Sequence, residues 1–294
     1  MGLFFSSDRF TRPGPGVRPD APRKKGVARL AEIMGRDMWN FFRAGFLAFL
    51  GCLPFIIGMF FAVETHALLF MLLAGIIGGL IAGPELSAMA DTVLRSLRDE
   101  PGYWWETYRR VWKRNARESL VPGMLTGLVL SMQIFTLFHM SVISAGIVTW
   151  VLLILSFVVT LGLESYIWPQ IALLDLPLYG ILKNSLLLFL GYLPRSLGAI
   201  AIKAVYWGAI LLFFPLTTII LPFTNFWLPM LPALLCIYQP LNKCFTIEST
   251  INKMREDELN AALAKDNEPL HEDTTEKAEE STKASSDDSS SDVQ

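Results

Sequence analysis

Long uncharged runs of apolar residues dominate the pattern of this chain. The run AGFLAFLGCLPFIIGMFFAV covers residues 44–63, and ALLFMLLAGIIGGLIAG covers residues 67–83; neither carries a charge. A helix of about 20 apolar residues matches the roughly 30 Å hydrocarbon core of a bilayer. The pattern therefore predicts membrane-spanning helices rather than the amphipathic elements of a water-soluble domain.

Six spans are predicted, and together they form a transmembrane bundle over residues 44–238. They cover residues 44–63, 67–89, 120–139, 143–164, 196–214 and 216–238. Prolines crowd the last two spans, and proline kinks a membrane helix by removing a hydrogen bond. One span followed by a re-entrant segment is the alternative for that region. The expected fold class is an all-α, polytopic membrane helix bundle.

Lysine and arginine are distributed unevenly around these spans. Residues 1–43 hold nine and residues 83–119 hold seven, whereas the connections near residues 64–66, 139–141 and Pro215 hold none. Cationic loops remain on the cytoplasmic side of a membrane. The asymmetry predicts a multi-pass protein of the cell membrane with both its amino and carboxyl termini in the cytoplasm.

The second span carries a row of small residues. Gly75, Gly79 and Gly83 recur at a spacing of four, which places them on one face of a helix. Small residues let a neighbouring helix approach closely. We therefore expect the second span near the centre of the bundle; a glycine-rich helix that faces lipid is the alternative.

A basic, aromatic hairpin is predicted between the second and third spans, at residues 90–119. Pro101 and Gly102 stop one helix, and a second helix starts near Tyr103 with aromatic residues on one face and cations on another. Such a helix is typical of the cytoplasmic membrane interface, where it meets anionic lipid or a partner. A role in setting topology alone is the bland alternative. The candidate residues for this contact are Trp104, Tyr108, Arg110, Trp112, Lys113, Arg114 and Arg117.

Three charges within or near the spans are candidates for a functional role. They are Glu85, Glu164 and Lys203. An unpaired charge at membrane depth costs about 3 kcal/mol on insertion scales. We expect Lys203 to pair with Glu164 or Glu85, or to extend toward the interface.

The sequence contains no pattern that indicates catalysis. It has no phosphate-binding loop and no nucleophile motif, and the spacings of its three cysteines and of His66, His139 and His271 do not suggest metal ligands. We therefore expect no enzyme activity, no cofactor and no metal site. Because the basic aromatic block lies between two spans, lipid is favoured over nucleic acid as its partner.

Both ends of the chain are expected to lie outside the bundle. Residues 1–43 form a basic cytoplasmic segment, and residues 239–255 form a membrane-proximal segment. Residues 256–294 carry thirteen acidic residues, three lysines and no aromatic residue. Such a composition cannot bury enough apolar surface to fold, so it predicts a disordered acidic tail.

Two stretches of the sequence resemble a known family. GPELSAMADTVLRSLRDEPGYWWETYRRVWKRNARES at residues 83–119 and YIWPQIALLDLPLYGILKNSLLL at residues 166–188 are similar to segments of the YesL-like integral membrane proteins of Firmicutes, the domain of unknown function family 624. The resemblance covers about residues 10–240 and leaves the acidic tail outside.

The resemblance implies a role without a defined chemistry. That family has no established activity, and its usual association implies an accessory or regulatory role in carbohydrate uptake, with sugar ABC transporter components as partners. The residues themselves leave an alternative open, namely a small transporter or lipid-handling protein. That alternative draws on Lys203 and on a faint internal repeat between residues 83–119 and residues 166–200.

Overall fold

The described part of the chain is helical throughout. The computed structural model describes residues 23–100, 102–140 and 146–266, and these ranges contain helices and turns without a strand. The all-α class predicted from the sequence is confirmed. The described residues belong to two compact units, one ending at Leu241 and the other beginning at Asn242.

Six helices are long and apolar enough to cross a membrane, as predicted. They are α1 (Gly26–Thr65), α2 (Leu68–Leu97), α3 (Trp104–Phe138), α4 (Ile147–Leu173), α6 (Leu193–Leu212) and a sixth span at Leu221–Phe245 whose regular part is α7 (Trp227–Phe245). Two further helices are α5 (Leu178–Gly191) and α8 (Ile247–Asp266). The chain is a multi-pass membrane helix bundle.

Two helices are much longer than a bilayer requires. α1 has 40 residues and α3 has 35. At 1.5 Å per residue they measure about 60 Å and about 50 Å, against a hydrocarbon core of roughly 30 Å. The excess length lies where the sequence is charged. We call the region formed by residues 26–43, 90–100 and 102–119 the charged end.

The helix starts at the charged end differ from those expected. Residues 26–43 belong to α1 instead of a separate basic segment, and residues 1–22 lie outside the described residues. Ile33 and Phe41 are fully buried, so packing extends the helix well before its apolar run begins. Residues 104–119 are likewise not a separate interfacial helix. They form the first turns of α3, because nothing between Trp104 and the apolar run breaks the helix.

The later part of the chain contains one helix that the sequence prediction lacks and one region that agrees with it. The sequence prediction contains no helix at α5, which follows Pro177 and ends before Tyr192, whose backbone is not helical. After α6, a short 3-10 turn at Leu216–Thr218 and a helical turn at Leu221–Thr224 lead into α7. The proline-rich region therefore contains two apolar helices, in agreement with two spans instead of one span and a re-entrant segment.

The tail begins with a helix. α8 continues to Asp266, although residues 256–294 were expected to be disordered. Residues 256–266 include alanine, leucine, glutamate and lysine, which are strong helix formers, so local propensity overrides the acidic average. Residues 267–294 lie outside the described part of the chain, and the prediction for them stays a prediction.

α2 is the central helix of the bundle, as its glycine row predicts. A Cβ atom built on Gly75 would lie 2.5 Å from Ser131 Oγ, and one built on Gly79 or Gly83 would overlap the α3 backbone. α3 contributes its own row of small residues at a spacing of four, which sequence analysis missed: Ser119, Gly123, Gly127 and Ser131. The two backbones therefore meet without side chains between them.

The other side of α2 approaches α1 in a similar way. A Cβ atom on Gly78 would lie 2.6 Å from Phe55 Cα, and one on Gly58 would lie 2.7 Å from Ala74 Cβ. α2 is thus held between α1 and α3 by close helix contacts. The charged end continues these same three helices beyond their apolar parts.

Substituting Gly79→Ala should destabilise the protein by about 1–3 kcal/mol, the usual cost of overpacking a tight contact. The new methyl group would overlap the carbonyl group of Gly123, so α2 and α3 must separate. Gly198→Ala is the matched control, because a Cβ atom at Gly198 meets nothing within 4 Å. Thermal unfolding in detergent measures both; equal stability of the two variants would contradict the close contact.

Candidate functional site

Two arginines of α1 and one that precedes it cap the end of α2. Arg29 Nη2 donates to Leu97 O at 3.1 Å, and Arg36 Nη2 donates to Ser96 O at 2.7 Å. Arg23 Nη2 donates to a third carbonyl, that of Arg98, at 3.2 Å. The last carbonyl groups of a helix lack partners within the helix and carry a partial negative charge. These cations therefore stabilise the α2 terminus directly.

The same three arginines converge on Asp99, at the turn between α2 and α3. Arg29 Nη2 lies 2.6 Å and Arg23 Nε lies 3.2 Å from Asp99 Oδ2, and Arg36 Nη1 contacts Oδ1. Burial alone would raise the pKa of Asp99, but hydrogen bonds from Arg36 and Arg29 hold that pKa below its usual value. We call Arg23, Arg29, Arg36 and Asp99 the arginine clamp. It fastens α1 to the tip of the hairpin.

The cations at the end of α2 are neutralised by nearby acids. Arg98 donates to Glu100 through Nε at 2.8 Å and through Nη2 at 3.1 Å. Arg95 Nε lies 2.6 Å from Asp91 Oδ2, and the Asp91 side chain is only 4% exposed. These pairs lock the hairpin tip internally. They also leave Arg95 and Arg98 unavailable as a source of charge for a partner.

Two aromatic residues of α3 hold a carboxylate of α2. Tyr108 Oη donates to Glu85 Oε2 at 2.5 Å, and Trp112 Nε1 donates to Glu85 Oε1 at 2.9 Å. Tyr108 is only 4% exposed. The prediction that Tyr108 lies on the membrane surface is therefore wrong; its ring faces α2, and its hydroxyl fixes Glu85.

The other tryptophans of this segment divide between the two sides of α3. The Trp104 ring lies beside Tyr108 with centroids 5.2 Å apart, and the Arg43 guanidinium lies 5.7 Å from the Trp104 ring centre. Trp104 therefore packs toward α1 and not toward the surface. Trp105, which sequence analysis did not select, is 57% exposed, and Trp112 is 36% exposed. These two offer aromatic surface to a lipid or protein.

The exposed side of α3 carries cations that form no ion pair within the described residues. We call Arg109, Arg110, Lys113 and Arg117 the basic face. Arg109 was not selected from the sequence, although it follows the same helix. Arg114, which was selected, has a different role, because its Nη2 donates to Ala172 O at 2.8 Å and ties α3 to the end of α4.

A cavity borders the basic face. Its volume is about 310 Å³, and it lies between α3 and the connection from α4 to α5. Arg117, Glu118 and Asp175 supply its charges, and Val121 and Ile181 are among its apolar residues. The basic face therefore adjoins a recess in which polar and apolar groups are both available.

The remaining charge candidates meet inside the bundle. Lys203 Nζ lies 3.9 Å from Glu164 Oε2, and both side chains are largely buried. Trp168 Nε1 donates to Glu164 Oε1 at 3.2 Å. Of the three outcomes expected for Lys203, the structure shows the pairing with Glu164. Glu85 instead belongs to the charged end, through Tyr108 and Trp112.

Replacing Asp99 by asparagine should loosen the hairpin tip, because the arginine clamp loses its carboxylate. We expect a cost of about 1 kcal/mol, which corresponds to a roughly five-fold rise in amide hydrogen exchange at residues 97–100. Glu118→Gln is the control, since Glu118 is exposed and forms no ion pair within the described residues. Unchanged exchange in Asp99→Asn would contradict the clamp.

The wild-type clamp should also depend on pH. Because the pKa of Asp99 is lowered in the folded protein, its contribution is complete above the usual value of 3.8 and is lost as the pH falls through the lower folded value. Protection of the tip amides, taken relative to the intrinsic exchange rate at each pH, should therefore fall in acid in the wild type, with a smaller change in Asp99→Asn.

Comparison of the chain with protein-family models, with curated proteins and with solved structures gave no match. The resemblance to YesL-like membrane proteins therefore stays a prediction. The two stretches that suggest it lie on neighbouring elements. Residues 83–119 form the end of α2, the hairpin tip and the start of α3, and residues 166–188 form the end of α4, its connection and most of α5. Arg114 joins the two through its hydrogen bond to Ala172.

Proposed function

We propose that this chain is a non-enzymatic integral membrane protein that acts as an accessory or regulatory component of a membrane system. It docks its partner through the basic face of α3. The observation that carries this proposal is a division of charge at the charged end. The tip cations are paired with acids or carbonyl groups, whereas the basic face has no ion pair within the described residues.

A docking role explains more of the charged end than a topology signal does. Cations near a membrane orient a chain whatever their arrangement. The arginine clamp, the Arg98–Glu100 pair and the Tyr108–Glu85 hydrogen bond additionally fix α3 in one position. A rigid surface loses less entropy when it binds. Exposed tryptophan beside arginine is also the composition of residues that contribute most to binding at interfaces.

The length of α3 separates two kinds of contact along the basic face. We take the charged end to be cytoplasmic, from its lysine and arginine excess. Arg117 lies about 5 Å along the helix from the predicted start of the apolar run at residue 120, and Arg109 lies about 16 Å from it. Arg117 and Lys113 therefore reach anionic headgroups, and each contributes about 1 kcal/mol of attraction to the membrane surface. Arg109 and Arg110 project far enough to meet a protein.

The expected partner is an acidic surface of a transport system. The family resemblance sets this role in carbohydrate uptake, so a sugar ABC transporter component is the proposed partner. Charge complementarity chiefly accelerates association and excludes wrong partners. The partner should therefore present carboxylates to Arg109 and Arg110, and its binding should weaken as the salt concentration rises.

Reversing the charge of Arg109 and Arg110 together, as Arg109→Glu and Arg110→Glu, should reduce recovery of a transporter subunit at least about ten-fold in affinity purification from a mild detergent, since like charges at an interface cost several kcal/mol. Lys243→Glu is the control, because Lys243 is an exposed cation of α7. Equal recovery with both variants would contradict docking through the basic face, and repeated recovery of the wild-type protein alone would contradict the accessory role.

A small transporter is the second candidate, and one observation favours it. Lys203 and Glu164 place opposite charges inside the bundle, where a charge is expensive and is often part of a transport pathway. A structural ion pair explains the same geometry, because breaking a buried pair leaves one charge uncompensated. The two explanations differ in what happens when both charges are removed.

Lys203→Met alone should lower stability by about 3 kcal/mol, because Glu164 is left buried without its cation. Adding Glu164→Gln should restore most of that stability. Under the accessory proposal, the double variant also complements the growth defect that deletion of the gene produces. A double variant that is stable in the membrane but inactive would favour transport instead. Thermal unfolding and complementation measure the two properties separately.

A further inference from the structure

Two histidines meet at the end of the bundle opposite the charged end. His66 lies in the turn between α1 and α2, and His139 directly follows α3. His66 Nδ1 and His139 Nε2 are 2.7 Å apart, with the two rings nearly perpendicular at 84°. Sequence analysis found no ligand spacing among the histidines. Spacing cannot reveal this pair, because the fold joins residues 73 positions apart.

The hydrogen bond that His139 makes to the backbone determines which of its two ring nitrogens carries the proton. His139 Nδ1 lies 2.8 Å from the carbonyl oxygen of Phe135, which can only accept a hydrogen bond, so Nδ1 carries the proton. The ring stacks on Phe135 at 4.0 Å and is 7% exposed. In the neutral ring, Nε2 is therefore the nitrogen with a free lone pair, and it is directed at His66. An imidazole that donates its other N–H to a backbone carbonyl is the usual arrangement of a metal ligand.

The pair offers two nitrogen ligands in an apolar setting. Met140 follows His139 and is buried, and Phe135 packs against a cluster that contains Met59 and Met71. Within the described residues, no group of three or more histidine, cysteine, aspartate or glutamate side chains could hold a metal. A structural zinc ion requires four ligands and is therefore unsuited. Two opposed nitrogen atoms instead match the linear, two-coordinate geometry that Cu(I) adopts.

We propose that His66 and His139 form a binding site for Cu(I), with the metal between His66 Nδ1 and His139 Nε2. At a metal–nitrogen distance of about 2 Å, the two nitrogens must move from 2.7 Å to about 4 Å apart. His66 is exposed and lies in a turn, so its side chain can make that movement. The proton on His66 Nδ1 is lost and Nε2 takes one from solvent, so both rings stay neutral.

The bound ion would join the α1–α2 turn to the end of α3. These are the elements whose helices form the centre of the bundle and continue into the charged end. Cu(I) at this site therefore stabilises the same helix assembly that supports the basic face. The site does not depend on the proposed docking role, since it uses none of the residues of the charged end.

Titration of the purified full-length protein with Cu(I) tests the site, in detergent, without oxygen, and in competition with a coloured Cu(I) chelator. The chain has three histidines, so His271→Ala is a matched control for His66→Ala and His139→Ala. We expect the wild type and His271→Ala to bind one more Cu(I) per chain than the other two variants. Copper bound by Cys52, Cys236 or Cys244 is common to all four proteins and cancels in the comparison.

If His139→Ala fails to fold, His66→Ala still tests the site, because His66 is exposed and its loss should not affect folding. The difference between the X-ray absorption spectra of the Cu(I)-saturated wild type and His66→Ala should show two nitrogen neighbours at a single short distance. Equal Cu(I) binding by the wild type and His66→Ala would overturn the proposal and leave a hydrogen-bonded pair only. Loss of binding in His139→Ala but not in His66→Ala would also overturn it, because the metal would then not lie between the rings.

Discussion

The contact between the backbones of α2 and α3 is the constraint on which the rest of the molecule depends. Glycine and serine at every fourth position let the two helices meet without side chains between them. Inside a membrane there is no hydrophobic driving force between helices, so close packing must supply much of the association energy. The contact also sets the register in which Tyr108 and Trp112 reach Glu85.

The cations of the chain perform two different tasks. Arg23, Arg29 and Arg36 bind the end of α2 and Asp99, where they donate hydrogen bonds to carbonyl groups and to a carboxylate. The basic face retains its charge because α3 carries these cations away from the hairpin tip. A count of lysine and arginine treats both groups alike, although the first group is already paired within the protein.

Local patterns in the sequence predict the parts of this structure that depend on one helix at a time. The six apolar runs gave six helices, and the glycine row identified the central one. The Lys203–Glu164 pair is one of three outcomes that the cost of a buried charge allows, and the sequence alone does not choose among them. The amphipathic pattern of residues 104–117 was also correct as a pattern. It could not indicate that protein, rather than lipid, covers Tyr108.

Sequence reasoning missed two kinds of feature. Some are contacts between segments that are distant in the sequence, and one is a helix within a tail whose overall composition is acidic. Arg29 and Asp99 are 70 residues apart, so no local spacing connects them. The same holds for His66 and His139. The small residues of α3 also recur at a spacing of four, but they form a close helix contact only because they lie opposite those of α2. In the tail, the helical residues 256–266 were hidden by an acidic composition that extends much further.

Solid-state NMR of the protein in lipid, with ¹³C only at the glycine α-carbons, tests the α2–α3 contact most directly. The account predicts through-space cross-peaks between Gly83 and Gly123 and between Gly79 and Gly127, since a side chain at either α3 position would collide with α2. A spectrum that lacks both cross-peaks, while the helices remain intact, would contradict the account, because α2 and α3 would then be separated by side chains.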